Sequence, residues 1–260
     1  MRARVRIGCC GFAGSMAGYF RKFKVVEVQQ TFYRLPEERT LLRWRSTAPR
    51  DFEFTVKAYQ AITHPRTSPT WRRAGVTSPE KLSDQIGLLR PTNENFEAWK
   101  RTRVAMEKLK SKICVVQCPP SFIATDENIN SMRIFFSKIE RKGIDIAWEP
   151  RHESWFRNPK KVRELADSLS LVHVVDIFKR EPLSNHPIAY VRLHGLGKEI
   201  NYSYKFTEQD LENLRSRILG LAGRKKEVYV FFNNITMRED GLAFKRLLET
   251  IYAWGDCELS

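Results

Sequence analysis

Several apolar runs in this chain turn polar at their last positions, where a strand buried on both faces should carry only hydrocarbon. The run Ile188-Ala-Tyr-Val-Arg-Leu-His-Gly195 ends on Arg192 and His194. Comparable ends carry Glu27 and Gln29, Lys57, Gln117, Glu149 with Arg151, Asp176, and Asn233. Side chains alternate along a strand, so shared parity places such residues on one face, at one end of a sheet. Burying an ionisable group costs several kcal/mol unless it is paired, which makes these groups a mutual network or a working site.

Each residue type suggests a task. Glu149 is the first choice for a proton-transfer group and His194 the second, because a carboxylate or imidazole can exchange protons near neutral pH once its environment shifts its pKa. Lys57, Arg151 and Arg192 suit anion binding, with Glu27 and Asp176 orienting those cations. Three negatives (Glu27, Glu149, Asp176) face three positives (Lys57, Arg151, Arg192). That balance argues against a multinuclear metal cluster. No cofactor is expected; the alternative is a single Mg2+, Mn2+ or Zn2+ held by Glu149, Asp176 and His194.

The elements that must position these groups are eight runs rich in β-branched and aromatic residues: 5–10, 25–29, 52–58, 113–118, 144–148, 171–176, 189–194 and 228–233. Helical periodicity fills most intervals, over 37–45, 93–110, 126–142, 160–169, 208–221 and 242–254. Thr207 reads as a cap, although Asp210 is shorter than the residue a capping box usually carries. Alternating βα units in one domain-sized chain predict a single (β/α)8 TIM barrel over 1–260. It is irregular, with a short first helix, a missing or minimal helix after strand six and a long loop after strand three. Gly8-Cys9-Cys10-Gly11-Phe12 lacks the glycine fingerprint of a dinucleotide-binding sheet.

Forty-five Lys and Arg against 30 Asp and Glu give a net charge of +15, which favours an anionic small molecule or nucleic acid, DNA or RNA, as partner. No apolar run approaches the roughly 18 residues of a membrane span, so the chain is expected to be cytoplasmic with no membrane partner. Composition does not set an oligomeric state. Five cysteines, at 9, 10, 114, 118 and 257, form neither a disulfide framework nor paired zinc knuckles. Cys9 and Cys10 read as small core residues. In the long loop, Arg66, Arg72, Arg73 and Arg90 are candidates for anion contact, and Trp71 for stacking or packing. Tyr33 and Trp155 are candidates for a pocket wall, whereas Phe32 and Phe156 read as rim packing. His152 suits either a loop cap or a functional role; His173 reads as a satisfied core histidine and His186 as a loop residue.

Seven segments together resemble the DUF72, or YecE-like, family of TIM-barrel proteins, across nearly the whole chain. Ile7-Gly8-Cys9-Cys10-Gly11-Phe12 is similar to the family's I-G-T-S-G-W, and Thr31-Phe32-Tyr33-Arg34-Leu35-Pro36 to its T-F-Y-R-L-P. Lys57-Ala58-Tyr59-Gln60-Ala61-Ile62-Thr63-His64 resembles K-A-x-x-A-I-T-H, which brings His64 among the ligand-contact candidates. Gln117-Cys118-Pro119-Pro120-Ser121-Phe122 resembles Q-L-P-P-S-F, and Glu149-Pro150-Arg151-His152-Glu153-Ser154-Trp155 resembles E-F-R-H-P-S-W. Tyr190-Val191-Arg192-Leu193-His194-Gly195 and Phe231-Phe232-Asn233-Asn234 complete the set. The two thiols at 9 and 10 depart from the pattern. The resemblance implies the barrel and its mouth residues but no settled activity, and the suggested links to sugar isomerases and endonuclease-IV-like barrels are fold-level analogies.

The leading expectation is an enzyme acting on a phosphate-bearing substrate, plausibly a nucleic-acid phosphodiester cleaved by hydrolysis. Glu149 would move the proton, and Lys57, Arg151, Arg192 and His194 would hold the phosphate. A sugar-phosphate isomerase or lyase is the second reading, and a non-catalytic nucleic-acid-binding protein the third.

Overall fold

The β-branched and aromatic runs form the strands of a parallel barrel in the computed structural model, which describes residues 3–197, 200–252 and 258–259. The strands are β1 (Arg4–Cys10), β2 (Val25–Val28), β3 (Glu53–Lys57), β4 (Ile113–Gln117), β5 (Asp145–Glu149), β6 (Leu171–Val175), β7 (Ile188–Leu193), β8 (Glu227–Phe232) and the two-residue β9 (Glu258–Leu259). Their order runs from β2 through β8 to β1, and β1 pairs back onto β2, closing eight parallel strands into a barrel with β9 beside the start of β1. Nearly every strand residue is buried, as continuous apolarity demands when helices cover a parallel sheet.

Between the strands lie α1 (Met16–Phe20), α2 (Gln30–Tyr33), α3 (Glu38–Thr47), α4 (Thr70–Arg73), α5 (Asn93–Leu109), α6 (Asp126–Lys138), α7 (Pro159–Ser168), α8 (Glu208–Ala222) and α9 (Met237–Tyr252). The expected irregularities are present. Helix α1 has five residues, the segment 176–187 forms no helix, and the connection from 58 to 92 carries only α4 and two turns of 3-10 helix. Helix α9 begins at Met237 rather than at residue 242. Its polar first turn hides the apolar period, and Asp240 Oδ2 instead accepts from Thr236 Oγ1 at 2.7 Å and Asn234 Nδ2 at 2.6 Å. Trp254 and Cys257 lie outside the described residues. Helix α6 stops at Lys138 because Ile139 turns extended, with φ −75° and ψ 139°.

Contacts divide the chain into two compact units. The first comprises Met1–Glu27, Ala48–Glu53 and Val172–Ser260. Its interior is layered by strand parity. At the amino ends, Arg6 pairs with Glu53 at 2.5 Å and Glu227 at 2.7 Å, and the Tyr229 hydroxyl, 2.9 Å and 3.1 Å from the two carboxylates, shares its one proton between them. Above this, Tyr190 stacks on Tyr229 and Phe231, and Gly8 leaves the room they need: a Cβ there would lie 2.4 Å from Val25 O and 3.0 Å from Phe231. Helix α8 starts in a full capping box. Thr207 Oγ1 accepts from Asp210 N at 3.2 Å while Asp210 Oδ2 accepts from Thr207 N at 2.8 Å, so the short acid reaches the cap.

The second unit comprises Val28–Thr47 and Phe54–Leu171. Helix α5 presents Ala98, Trp99, Thr102, Ala105, Met106 and Leu109 to the core, and α6 presents Ile129, Met132, Phe135 and Phe136; both open on threonine caps. The long connection is held by side chains bonding to backbone. Asn95 accepts from Gly87 N at 3.0 Å and donates to Gly87 O and Arg90 O, and Trp71 Nε1 donates to Pro65 O at 2.9 Å. Among the described residues no helix is long and apolar enough to cross a membrane.

Candidate functional site

In the first unit the polar layer at the carboxyl ends of the strands is built on Glu27, which is fully buried. One carboxylate oxygen meets Arg192 Nη2 at 2.9 Å and the other accepts from the Tyr190 hydroxyl at 2.8 Å. Tyr190 and Arg192 share parity on β7, so their common partner follows from the pleat. Arg192 is 1% exposed, and its Nη2 also lies 3.7 Å from Cys10 Sγ. Cys9 donates to Met237 O at 3.3 Å, and burial pushes its thiol up to about 12, which suits the core role expected of it.

The next residue of that parity, His194, is 4% exposed and has Nδ1 3.9 Å from Asp176 Oδ2. Asp176 is fixed in turn by Phe178 N, which donates to Oδ1 at 3.1 Å. Asn233 directly follows β8, half-buried, with its backbone N donating to Leu193 O at 2.8 Å. His173 is buried mid-strand, its Nδ1 accepting from Leu183 N at 3.1 Å, and His186 accepts from Ile188 N in a loop. His186 lies in a loop as expected, and His173 sits in the core as expected, bonded at Nδ1.

In the second unit Lys57, Glu149 and Gln117 end β3, β5 and β4 with 6%, 7% and 7% exposure. Glu149 Oε1 accepts from Arg151 Nε at 3.0 Å and also lies 3.0 Å from Arg151 Nη2, a two-pronged contact that fixes the carboxylate. Lys57 Nζ sits 3.9 Å from the centroid of the Phe32 ring, and His64 meets that ring edge-on at 4.9 Å. His64 Nδ1 shares a 2.7 Å hydrogen bond with Thr63 Oγ1. Burial first, then the charges of Lys57 and Arg151, lower the His64 pKa to about 3, so the ring stays neutral under physiological conditions.

The aromatic candidates divide. Tyr33 is half-buried at the end of α2, against Phe32. Trp155 is 2% exposed, stacks on Phe122 and donates from Nε1 to Phe122 O at 2.7 Å. It also borders a cavity of about 230 Å3 with Ser154, Asn158 and Lys161. Trp71 packs rather than stacks on a ligand, being 2% exposed and edge-on to Tyr59. Arg66 and Arg90 bond to loop carbonyls at Glu80 and Asp84, whereas Arg72 and Arg73 are exposed. His152 caps the turn Glu153–Phe156, its Nδ1 accepting from Ser154 N at 3.1 Å.

Among the described residues no three His, Cys, Asp or Glu side chains gather as ligands; Glu149 is clasped by Arg151, and the Cys114 and Cys118 thiols are held protonated by burial. Sequence reasoning missed Tyr190, which reads as core until its hydroxyl is traced to Glu27, and Thr63, hidden beside the histidine it bonds. It also passed over Tyr202, whose ring lies edge-on to His194 at 5.9 Å in a segment without period.

A closed (β/α)8 barrel with buried Glu, Lys, Arg and His groups at its strand ends defines the class as a TIM-barrel protein. The family model described as "Protein of unknown function DUF72" matches residues 12–254, and the chain belongs to that family. The UPF0759 protein YunF of Bacillus subtilis (strain 168) is 24% identical, covering 91% of this chain and 86% of its own length. A DUF72 family protein of Enterococcus faecalis V583 superposes with a TM-score of 0.70 at 20% identity, covering 96% of this chain and 98% of that one. One from Thermotoga maritima MSB8 gives 0.68 at 24% identity, with 95% and 99% covered. Outside the family the fold is shared with a D-tagatose 3-epimerase-like protein (TM-score 0.56, 16% identity) and with SacUVDE (0.57, 7%), likenesses of fold alone.

Proposed function

We propose that the chain is an enzyme acting on a phosphate-bearing substrate, with Glu149 as the proton-transfer group. In the second unit Lys57 and Arg151 would contact the phosphate; in the first, Glu27 would fix Arg192, and Asp176 would fix His194 as a separate phosphate-contact candidate. The observation that carries the reading is the setting of His64. A nearly buried imidazole is held neutral with Lys57 and Arg151 acting on it, so that part of the β3 and β5 ends favours an incoming negative charge. The single carboxylate in that group, Glu149, is anchored by Arg151 and so held in place for proton transfer. The +15 net charge would concentrate polyanions at the surface.

The test is calorimetric titration of the protein with inorganic phosphate and ribose 5-phosphate, beside anisotropy titration with labelled oligonucleotides over a salt series. Binding of phosphate compounds that weakens in Lys57→Ala supports the reading, and no binding of any phosphate compound at low salt sinks it. Oligonucleotide binding with a steep salt slope points to a phosphodiester, and binding of ribose 5-phosphate alone points to a sugar phosphate. Glu149→Gln should keep binding and lose turnover.

A further inference from the structure

In the second unit a cavity of about 250 Å3 lies between the long connection after β3 and helix α5. None of the strand-end residues Lys57, His64, Gln117, Glu149 and Arg151 lines it. Its apolar wall comes from Ala61, Leu82, Ile86 and Ala98, and its aromatic wall from Tyr59 and Trp71, whose rings meet edge-on at 6.0 Å. Trp71 Nε1 already donates to Pro65 O, so the indole offers this wall ring carbon rather than a donor. The charged lining is a single stripe of α5, Glu94, Glu97 and Arg101, at the spacing that puts side chains on one helix face. A glutamate four residues before an arginine ordinarily pairs with it. Here that pair is split. Glu97 Oε1 meets Lys100 Nζ at 2.5 Å, and the Arg101 guanidinium lies over the Tyr59 ring, 5.3 Å from its centroid. Among the described residues Arg101 meets no carboxylate, Glu94 accepts only from Ser83 Oγ, at 2.9 Å on Oε1, and the Oε2 atoms of Glu94 and Glu97 accept no hydrogen bond.

We propose that this cavity binds a free apolar amino acid, with Arg101 on its carboxylate, Glu94 and Glu97 on its ammonium, and its side chain against Tyr59, Trp71 and Ile86. The site stands apart from the phosphate-bearing substrate proposed above and does not depend on it. Charges on a helix face are ordinarily solvated one by one; these three share a cavity wall with six apolar or aromatic side chains. A simple carboxylate would bring its charge beside two glutamates, and a simple amine would leave the guanidinium without a counter-charge. A zwitterion carries both charges on one carbon, and so can bridge groups that stand about 5–6 Å apart on successive turns. The planar guanidinium matches a carboxylate with two parallel N–H donors. Burial raises the Tyr59 pKa against the opposing Arg101 charge, so the phenol stays protonated and adds a donor at the same wall. The volume is below the roughly 300–1,000 Å3 of sites for drug-sized ligands and suits a molecule of amino-acid size.

The experiment is calorimetric titration of the full chain with L-phenylalanine and L-leucine, beside phenylalaninamide, N-acetylphenylalanine and free glycine. Wild type should bind at least one of the two apolar amino acids with a Kd at or below about 1 mM. The amide lacks the carboxylate, the acetyl form lacks the ammonium and glycine lacks the apolar side chain, so each should bind at least about tenfold more weakly. Arg101→Met and Glu94→Gln should each weaken binding about tenfold, the scale of one charge-assisted hydrogen bond, with an unchanged thermal midpoint. No binding of either apolar amino acid up to about 10 mM overturns the proposal. So does equal binding of the blocked forms or of glycine by wild type, which needs no variant to fold, and so does binding that survives both substitutions.

Discussion

Neutralising Glu27 should be among the most damaging single-atom-scale changes available to this barrel. Its carboxylate is fully buried, paired with Arg192 at 2.9 Å and accepting from Tyr190 at 2.8 Å, and Arg192 is itself 1% exposed. Glu27→Gln keeps the volume and an acceptor for Tyr190 but leaves the guanidinium buried without that counter-charge. Breaking a buried pair from one side costs about 3–5 kcal/mol, a large share of the roughly 5–15 kcal/mol by which a domain is stable. Arg192→Met should be similarly costly, because it strands the carboxylate. The double change Glu27→Gln, Arg192→Met removes both charges and should be more stable than either single variant. Guanidinium denaturation followed by tryptophan fluorescence measures all three at pH 7. A loss under about 1 kcal/mol for Glu27→Gln would refute the reasoning, since that is the scale of a solvated surface pair. So would a double variant whose loss equals the sum of the singles.

Other perturbations test separate links. The His64 pKa near 3, below the unfolded value of about 6.5, means the unfolded chain takes up a proton that the fold refuses; this contribution is neutral above pH 6.5 and destabilises progressively down to about pH 3. Between pH 7 and pH 5 it should cost about 2 kcal/mol, and His64→Gln should remove that part of the pH slope in denaturation curves. Asp210 accepts from the Tyr204 hydroxyl at 2.7 Å, and this bond leads the causes that raise the Tyr204 pKa to about 12. Asp210→Ala should return Tyr204 toward its ordinary value, seen as an earlier phenolate absorbance rise, and lose about 1 kcal/mol with the capping box. Gly195→Ala forces a left-handed residue against Asn201 O and should destabilise by more than about 1 kcal/mol, read as a lowered midpoint in denaturation curves.

The barrel was legible because burial on both faces leaves so plain a mark: short runs rich in β-branched residues, such as the stretch 113–116 of β4, read as strands when helical periods separate them. The polar strand ends were legible for the converse reason, since charge in such a run costs too much to be casual. What parity could not supply was partnership. Three negatives against three positives reads as one balanced ring, yet the carboxylates are allotted one by one: Glu27 to Arg192, Glu149 to Arg151, and Asp176 beside His194. That allotment separates the candidate roles. Arg192 is locked at 1% exposure in a pair that sequence distance conceals, whereas Arg151, 15% exposed at its side chain, shares its environment with a neutral His64. In the long loop the failure is of another kind. Whether Arg66, Arg90 and Trp71 reach a ligand depends on how the backbone folds back, and Asn95, a polar residue on an otherwise ordinary helix face, decides that by bonding Gly87 and Arg90. A side chain that organises backbone carries no periodic signal, so Arg66 and Arg90, which bond to loop carbonyls, looked as available as Arg72 and Arg73, which stay exposed. The strand-end charges take their geometry from the sheet, whereas Arg66 and Arg90 already bond to the loop's own carbonyls.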